Sequence, residues 1–249
     1  MNIKVLGCNG GIGGGPSGST CIQIGESILL DAGSGLSVLS LDEMRSIKHV
    51  VLSHSHIDHI CALPTFLANL FDYTTEPVTV HALPETIKVL QECIFNWHVW
   101  PDFTQLPTPE QPIMAYKEIS PWQVFELEGY TFTPFEVEHT VPTVAMSVKS
   151  QSTHFVFSAD TKSSDTVIEQ LNQLGAIDIL MIECAFPDRL ADIALQSGHL
   201  TPLTMASTIA ALQKQPKEVW VTHLKPSYDK ELREVLATTP AYQHWHVLK

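Results

Sequence analysis

Residues 50–64 read VVLSHSHIDHICALP, and the six from His54 to His59 hold three histidines and an aspartate in the pattern H-x-H-x-D-H. The residues leading in, HVVLS, are apolar and β-branched, the mark of a buried strand. The residues leading out, LPTFLANLF, put apolar side chains at helical spacing, with Pro64 near the helix start. A strand-to-helix junction is where α/β proteins place much of their chemistry. There His54, His56, Asp58 and His59 can point into one small volume. Neutral imidazoles and carboxylates together suit zinc, and also iron or manganese.

One loop cannot complete two metal sites, so further ligands are expected at other strand ends. Three residues stand in such places: His139 in FEVEHT, Asp160 in FVFSAD and His223 in VWVTHL. Other strand signals are IKVLG, TCIQIG, SILLDAG, VTVHAL, QVFELEGYTFTPFEVEH, AMSVKS and IDILMIE. Helical spacing covers residues 36–45, 65–71, 85–97, 164–174, 202–213 and 229–237. Strands and helices are mixed in the same way in both halves, so residues 1–249 are expected to form a single domain of two similar αβ halves. The Pro- and Thr-rich segment 101–121 lacks periodicity and reads as a surface loop or lid.

Composition narrows the partners. The formal charge is −13, from 14 Lys and Arg against 27 Asp and Glu. A protein that grips many phosphates needs a basic surface, so a long nucleic acid is not expected. A small phosphate ester remains compatible, because a divalent ion supplies positive charge locally. Five scattered cysteines with no CxxC pair disfavour a disulfide framework and a structural zinc knuckle. No apolar run reaches membrane-span length, and the opening MNIKVLGCNGG has no signal-peptide core. A cytoplasmic protein with no membrane partner is the expectation. The oligomer is left open, a homodimer included.

With the strand-end ligands in this order, the chain from LLDAGSG to THLKP resembles the metallo-β-lactamase superfamily. The resemblance implies an α/β fold, a four-layer αβ/βα sandwich with a dinuclear site at the sheet edge. It assigns His54, His56 and His139 to one divalent ion, and Asp58, His59 and His223 to a second, with Asp160 bridging. Zinc is the first expectation, with iron or manganese compatible with the same donors. Asp31 would lie behind the ligands and orient a metal-bound histidine. Asp58 would also orient a metal-bridging hydroxide, the implied nucleophile in hydrolysis.

The fold alone does not choose among hydrolases. Glu183 in IECAF and His199 in GHLTP resemble the Glu–His pair of the ribonuclease Z-type phosphodiesterase branch. GHLTP and THLKP together resemble the class II cyclic nucleotide phosphodiesterases more closely. The implied catalytic residues are Asp58, Glu183 and His199, and the implied substrate is a 3′,5′-cyclic nucleotide (cAMP, cGMP or both) opened to its 5′-monophosphate. Ribonuclease Z fits less well, because that family uses a basic arm to hold tRNA, and residues 96–121 contain one Lys and no Arg. A short-RNA nuclease, a thioester or lactone hydrolase, and a nucleotide sensor without turnover stay open as rival functions.

Several residues stand at the margin. Gly13, Gly15 and Gly18 satisfy G-x-G-x-x-G, but TCIQIG follows as a strand rather than the helix a dinucleotide site requires. A glycine-rich turn that allows close approach to the site is expected instead, with Ser17, Ser19 or Thr20 as substrate contacts. Lys225 is placed to reach a phosphate or to remain solvated. Trp97, Trp100, Phe103 and Tyr116 are expected to pack the 101–121 segment down rather than stack on a base. His81 reads as structural, and His49, His98, His154, His244 and His246 receive no function.

Overall fold

The structure is a computed structural model describing residues 1–13, 17–71, 73 and 76–249. Gly15 of the glycine-rich pattern lies outside the described residues. The chain divides into two compact units, Met1–Gly7 with Pro16–Ile119 and Cys8–Gly15 with Ser120–Lys249.

The first unit is built on a seven-stranded sheet. Its strands are β1 (Ile3–Asn9, whose last two residues group with the second unit), β2 (Gly18–Ser19), β3 (Cys21–Ile24), β4 (Ile28–Leu30), β5 (His49–Val51) and β6 (Val78–Ala82). A small hairpin of β7 (Pro107–Thr108) and β8 (Gln111–Pro112) precedes the last strand, β9 (Met114–Glu118). The order is β2-β1-β3-β4-β5-β6-β9, antiparallel from β1 to β4 and parallel from β4 to β9. Helices α1 (Leu41–Arg45), α2 (Ile57–Ile60), α3 (Leu63–Ala68) and α4 (Pro84–Val89) accompany it. Leu29, Val50 and Val80 from the sheet share one apolar cluster with Leu63, Phe66 and Leu67 of α3. Each such burial contributes about 2 kcal/mol.

The second unit repeats this plan. Strands β10 (Phe125–Leu127), β11 (Tyr130–Val137), β12 (Thr143–Lys149), β13 (His154–Phe157), β14 (Ile179–Glu183), β15 (Glu218–Thr222) and β16 (His246–Val247) lie side by side in chain order. The pairing is antiparallel up to β13 and parallel from there on. Helices α5 (Asp165–Gln173), α6 (Ala191–Ser197), α7 (Pro202–Ala210) and α8 (Asp229–Thr238) accompany it. Three of them supply apolar pairs four residues apart: Val167 and Leu171, Met205 and Ile209, and Leu232 and Leu236. All six enter one cluster with Val156, Leu180, Ile182 and Val221. Thr201 caps α7, its side chain accepting from the Thr204 N–H, with Pro202 next.

Several expectations need correction. Residues 101–121 are not a loop throughout, because β9 joins the sheet edge beside β6, from Val78↔Met114 to Ala82↔Glu118. Proline and threonine mask that strand in the sequence, yet Met114 is completely buried and Phe103 nearly so. The long strand signal over 123–139 splits into β10 and β11 at Glu128–Gly129. The helical signal over 36–45 breaks at Ser40, which caps α1 in a capping box with Glu43. The helix expected over 85–97 ends as α4 and a wider π-type turn at Leu90–Ile94. Helix α6 carries no clear periodicity in the sequence and was not expected. Among the described residues, no helix is long and apolar enough to cross a membrane.

Candidate metal centre and proton-donor pair

In the first unit the parallel strands β4 and β5 end together, with Leu30 opposite Val51. The chain then turns sharply, and Asp31 takes a left-handed backbone conformation at φ 57°. Aspartate tolerates that region better than most residues. Its N–H bonds the Val51 carbonyl at 2.9 Å, and its side chain is wholly buried. Asp31 Oδ1 accepts from the Ser53 N–H at 2.8 Å, and Oδ2 accepts from Ser53 Oγ at 2.9 Å. Oδ2 also accepts from His59 Nδ1 at 2.7 Å. Ser53 Oγ, its proton committed to Asp31, accepts in turn from His54 Nδ1 at 2.9 Å. One carboxylate thus sets two imidazoles, His59 directly and His54 through Ser53. Both rings then carry their proton on Nδ1 and present the Nε2 lone pair.

His56 is the residue from which α2 starts, and its carbonyl accepts from the His59 N–H at 3.0 Å. This one short turn gathers the donors. The His54 ring centroid lies 4.7 Å from that of His56 and 4.2 Å from that of His59. Asp58 Oδ2 is 4.0 Å from His59 Nε2, and its side chain is partly open to solvent.

In the second unit His139 follows β11, Asp160 follows β13 and His223 follows β15 directly. His139 Nδ1 donates to the Gly198 carbonyl at 2.8 Å, which again turns Nε2 outward as an acceptor. Burial pushes the His139 pKa down, against the pull of Asp160, and favours the neutral ring that a metal ligand requires. Asp160 Oδ2 lies 3.9 Å from His139 Nε2 and 3.2 Å from His223 Nε2. Ala159 and His223 both have positive φ, 52° and 61°. Such backbone is costly for residues other than glycine and recurs where side chains must be aimed. Gly10 sits so near His223 that a Cβ would come within 2.5 Å of its carbonyl oxygen and 2.8 Å of its ring. That is the close approach expected of the glycine-rich turn, although it falls on a glycine outside the G-x-G-x-x-G pattern.

Glu183 ends β14 with no exposed surface. Its Oε1 accepts from the Thr161 N–H at 2.9 Å and from His199 Nδ1 at 2.8 Å. Its Oε2 accepts from the Leu200 N–H at 3.2 Å. His199 stands just past α6, on the residue after Gly198. Gly198 has φ 72°, and a Cβ there would come within 2.7 Å of His139 Nδ1, so only glycine fits. Burial disfavours a charge on His199, but Glu183 and then Asp160 outweigh it and hold the pKa above its ordinary value. The His199 ring stacks on His223 at 5.3 Å and meets His139 edge-on at 5.0 Å. Metal-binding atoms of Asp160, His199 and His223 all lie within 4.8 Å of one another.

The marginal candidates divide. Lys225 is half-buried and close enough to His199 to oppose its charge. Thr20 is buried, and its carbonyl accepts from the Gly33 N–H at 2.9 Å. Ser19 is buried and exchanges hydrogen bonds with Ser34, while Ser17 is half-buried. Phe103 packs in the core against Phe71 and Phe95, with Trp100 and Tyr116 against the same cluster. The packing expectation holds for these three, while Trp97 is 60 % exposed. His154 bonds Ser147 and the Ala176 carbonyl, and His81 bonds His49. Three residues escaped the sequence reading. Ser53 was detectable as the hydroxyl directly before the first histidine, and Gly198 as a glycine just before the His of GHLTP. Phe186, whose ring lies 5.7 Å from that of His199, had no signal beyond its closeness to Glu183.

Histidines whose Nδ1 is held by a carboxylate, hydroxyl or carbonyl, with carboxylates beside their Nε2 atoms, are the donors that hold a divalent cation. The residues present in each unit fit such an ion. Two sheets flanked by helices, with these donors at strand ends, define an α/β metal-binding protein. The chain belongs to the metallo-β-lactamase superfamily, since a family described as "Beta-lactamase superfamily domain" matches residues 26–224. A probable 3′,5′-cyclic-nucleotide phosphodiesterase of Yersinia pestis is 26 % identical over 211 residues, which is 75 % of this chain and 59 % of that protein. A ribonuclease Z of Bradyrhizobium diazoefficiens is 24 % identical over 264 aligned residues, 86 % of this chain and 84 % of its own. The crystal structure of the metallo-β-lactamase fold protein YhfI from Bacillus subtilis aligns with a TM-score of 0.75 at 20 % identity, over 99 % of this chain and 96 % of that one. That likeness shows the fold.

Proposed function

We propose that the protein is a divalent-metal phosphodiesterase that opens 3′,5′-cyclic nucleotides to nucleoside 5′-monophosphates. The buried Glu183–His199 hydrogen bond of 2.8 Å, beside His139 and His223, carries this reading. Thioester cleavage releases a good leaving group that needs no proton. A sugar alkoxide does need one, and a histidine positioned by a carboxylate supplies it near neutral pH. In this reading His54, His56 and His139 would hold one ion, and Asp58, His59 and His223 the other, with Asp160 available to both. Bound there, two divalent ions, zinc before iron or manganese, would supply positive charge to the phosphoryl oxygens and acidity to the attacking water. Asp58 orients that water. His199 Nε2 gives its proton to the departing 3′-oxygen, while Glu183 keeps Nδ1 protonated and the ring in place.

The relative from Yersinia pestis supports this substrate class by name, and the ribonuclease Z relative supports the phosphodiester chemistry. The −13 charge and the shortage of basic residues in 96–121 favour a small ester over tRNA. The test is incubation of metal-replete protein with 3′,5′-cyclic AMP, followed by phosphorus NMR. Formation of 5′-AMP that is lost on chelation and in Asp160→Ala is expected. If bis(p-nitrophenyl) phosphate is cleaved and the cyclic nucleotide is not, the substrate is wrong. If a thioester is turned over in place of both, the reaction class is wrong.

A further inference from the structure

His199 has two kinds of ring neighbour in its own unit. His139 and His223 belong to the ligand set, whereas Phe186 lies 5.7 Å away at a 56° tilt and has no part in it. Phe186 in turn meets Tyr228 at 5.8 Å. Both aromatic rings are half-buried. Tyr228 packs on the rim of the apolar cluster, and among the described residues that cluster does not include Phe186. A large aromatic side chain left outside the core, beside a proton donor, has apolar face to offer a ligand.

The backbone holds this pair in a set relation to His199. The Ala185 and Phe186 N–H groups both donate to the Leu200 carbonyl, at 3.0 and 3.3 Å, one residue past the histidine. The Tyr228 N–H donates to the Lys225 carbonyl at 2.8 Å, and the Lys225 N–H to the Ala185 carbonyl at 3.4 Å. On the Tyr228 side, the Arg189 guanidinium lies 5.5 Å from the ring centroid and is forked onto Glu231 at 2.9 and 2.8 Å.

We propose that Phe186 and Tyr228 form the subsite for the heterocyclic base of the nucleotide. The inference rests on the reading that His199 protonates a 3′-oxygen. That oxygen and the base hang from the same five-membered sugar ring. A side chain in direct ring contact with the proton donor is therefore within stacking reach of the base. The recognition is by aromatic faces, which every base has. Adenine and guanine nucleotides are thus accepted alike, and a sugar phosphate without a base is held only by its phosphate.

The test is isothermal titration of the metal-loaded protein with 5′-AMP, 5′-GMP and ribose 5-phosphate. Wild type, Phe186→Leu, Tyr228→Leu and Phe186→Tyr are compared alongside cyclic AMP turnover. Wild type is expected to bind AMP and GMP about 5- to 140-fold more tightly than ribose 5-phosphate, the range of one base stack. Phe186→Leu and Tyr228→Leu should remove most of that advantage and leave ribose 5-phosphate affinity unchanged, and Phe186→Tyr should restore it. Equal affinity for AMP and ribose 5-phosphate in a wild type that turns over cyclic AMP overturns the subsite alone. So does undiminished AMP binding in both leucine variants. A wild type that neither binds ribose 5-phosphate nor turns over cyclic AMP overturns the phosphodiesterase reading and the subsite with it. Should Phe186→Leu fail to fold, Tyr228→Leu and Phe186→Tyr decide the question.

Discussion

Replacing Glu183 by glutamine changes one oxygen to an amide and removes a charge at constant shape. The wild-type carboxylate accepts three N–H donors, from Thr161, His199 and Leu200. A glutamine oxygen in the Oε1 position keeps the first two, and its NH2 group then confronts the Leu200 N–H. The opposite rotamer loses the other two. At least one buried bond to a charged acceptor therefore goes, a cost of about 2–3 kcal/mol in stability. His199 also loses the negative partner that outweighs its burial. Its pKa falls, so the alkaline limb of kcat/KM, where a general acid loses its proton, moves to lower pH. On cyclic AMP the variant should lose about 100-fold in kcat/KM, the lower part of the range for general acid catalysis. On bis(p-nitrophenyl) phosphate, whose nitrophenolate leaves without a proton, the loss should stay below about threefold. The assay measures both substrates from pH 6 to 10, with metal content measured on the same samples. Equal losses on the two substrates at full metal content, or an alkaline limb that does not move, would refute the assignment.

Three further perturbations test other links. His199→Ala should retain wild-type metal stoichiometry by elemental analysis while losing cyclic AMP turnover; loss of one ion per chain would make His199 a ligand instead. Asp31→Ala frees both His59 and the Ser53–His54 relay, and should weaken metal affinity about 10- to 100-fold in chelator competition. Unchanged affinity would detach Asp31 from the ligands. His81 is held neutral, its pKa lowered by burial to about 3, with His49 adding to the effect. Below about pH 6.5 the unfolded chain takes up a proton at this ring that the folded chain refuses, so stability is lost as pH falls toward 3. The variant His81→Gln should show a shallower fall in Tm between pH 6.5 and 4.5 than wild type, and parallel curves would count against it.

The extent to which the site was legible follows the range of each interaction. H-x-H-x-D-H is a local pattern, since one strand end and one turn of helix carry four donors, and neighbours in sequence are neighbours in space. His139, Asp160 and His223 were legible because each stands at or just beyond the end of an apolar β run. The segment 101–121 was not, because whether a short alternating stretch becomes an edge strand depends on the free edge of β6. The Asp31–Ser53–His54 relay arises only because β4 and β5 pair in a register that sets Leu30 opposite Val51.

Donor order and strand-end placement were thus enough for the candidate metal ligands, since these rest on residue types and local periodicity, while the superfamily and the Glu–His pair were legible through the resemblance those motifs carry. Tertiary structure alone decided which nitrogen each histidine presents, why glycine must stand at 198, and that Phe186 stands between His199 and Tyr228. Those features depend on distances between side chains from different strand ends and turns. Such distances are set by register and packing, and residue order does not carry them.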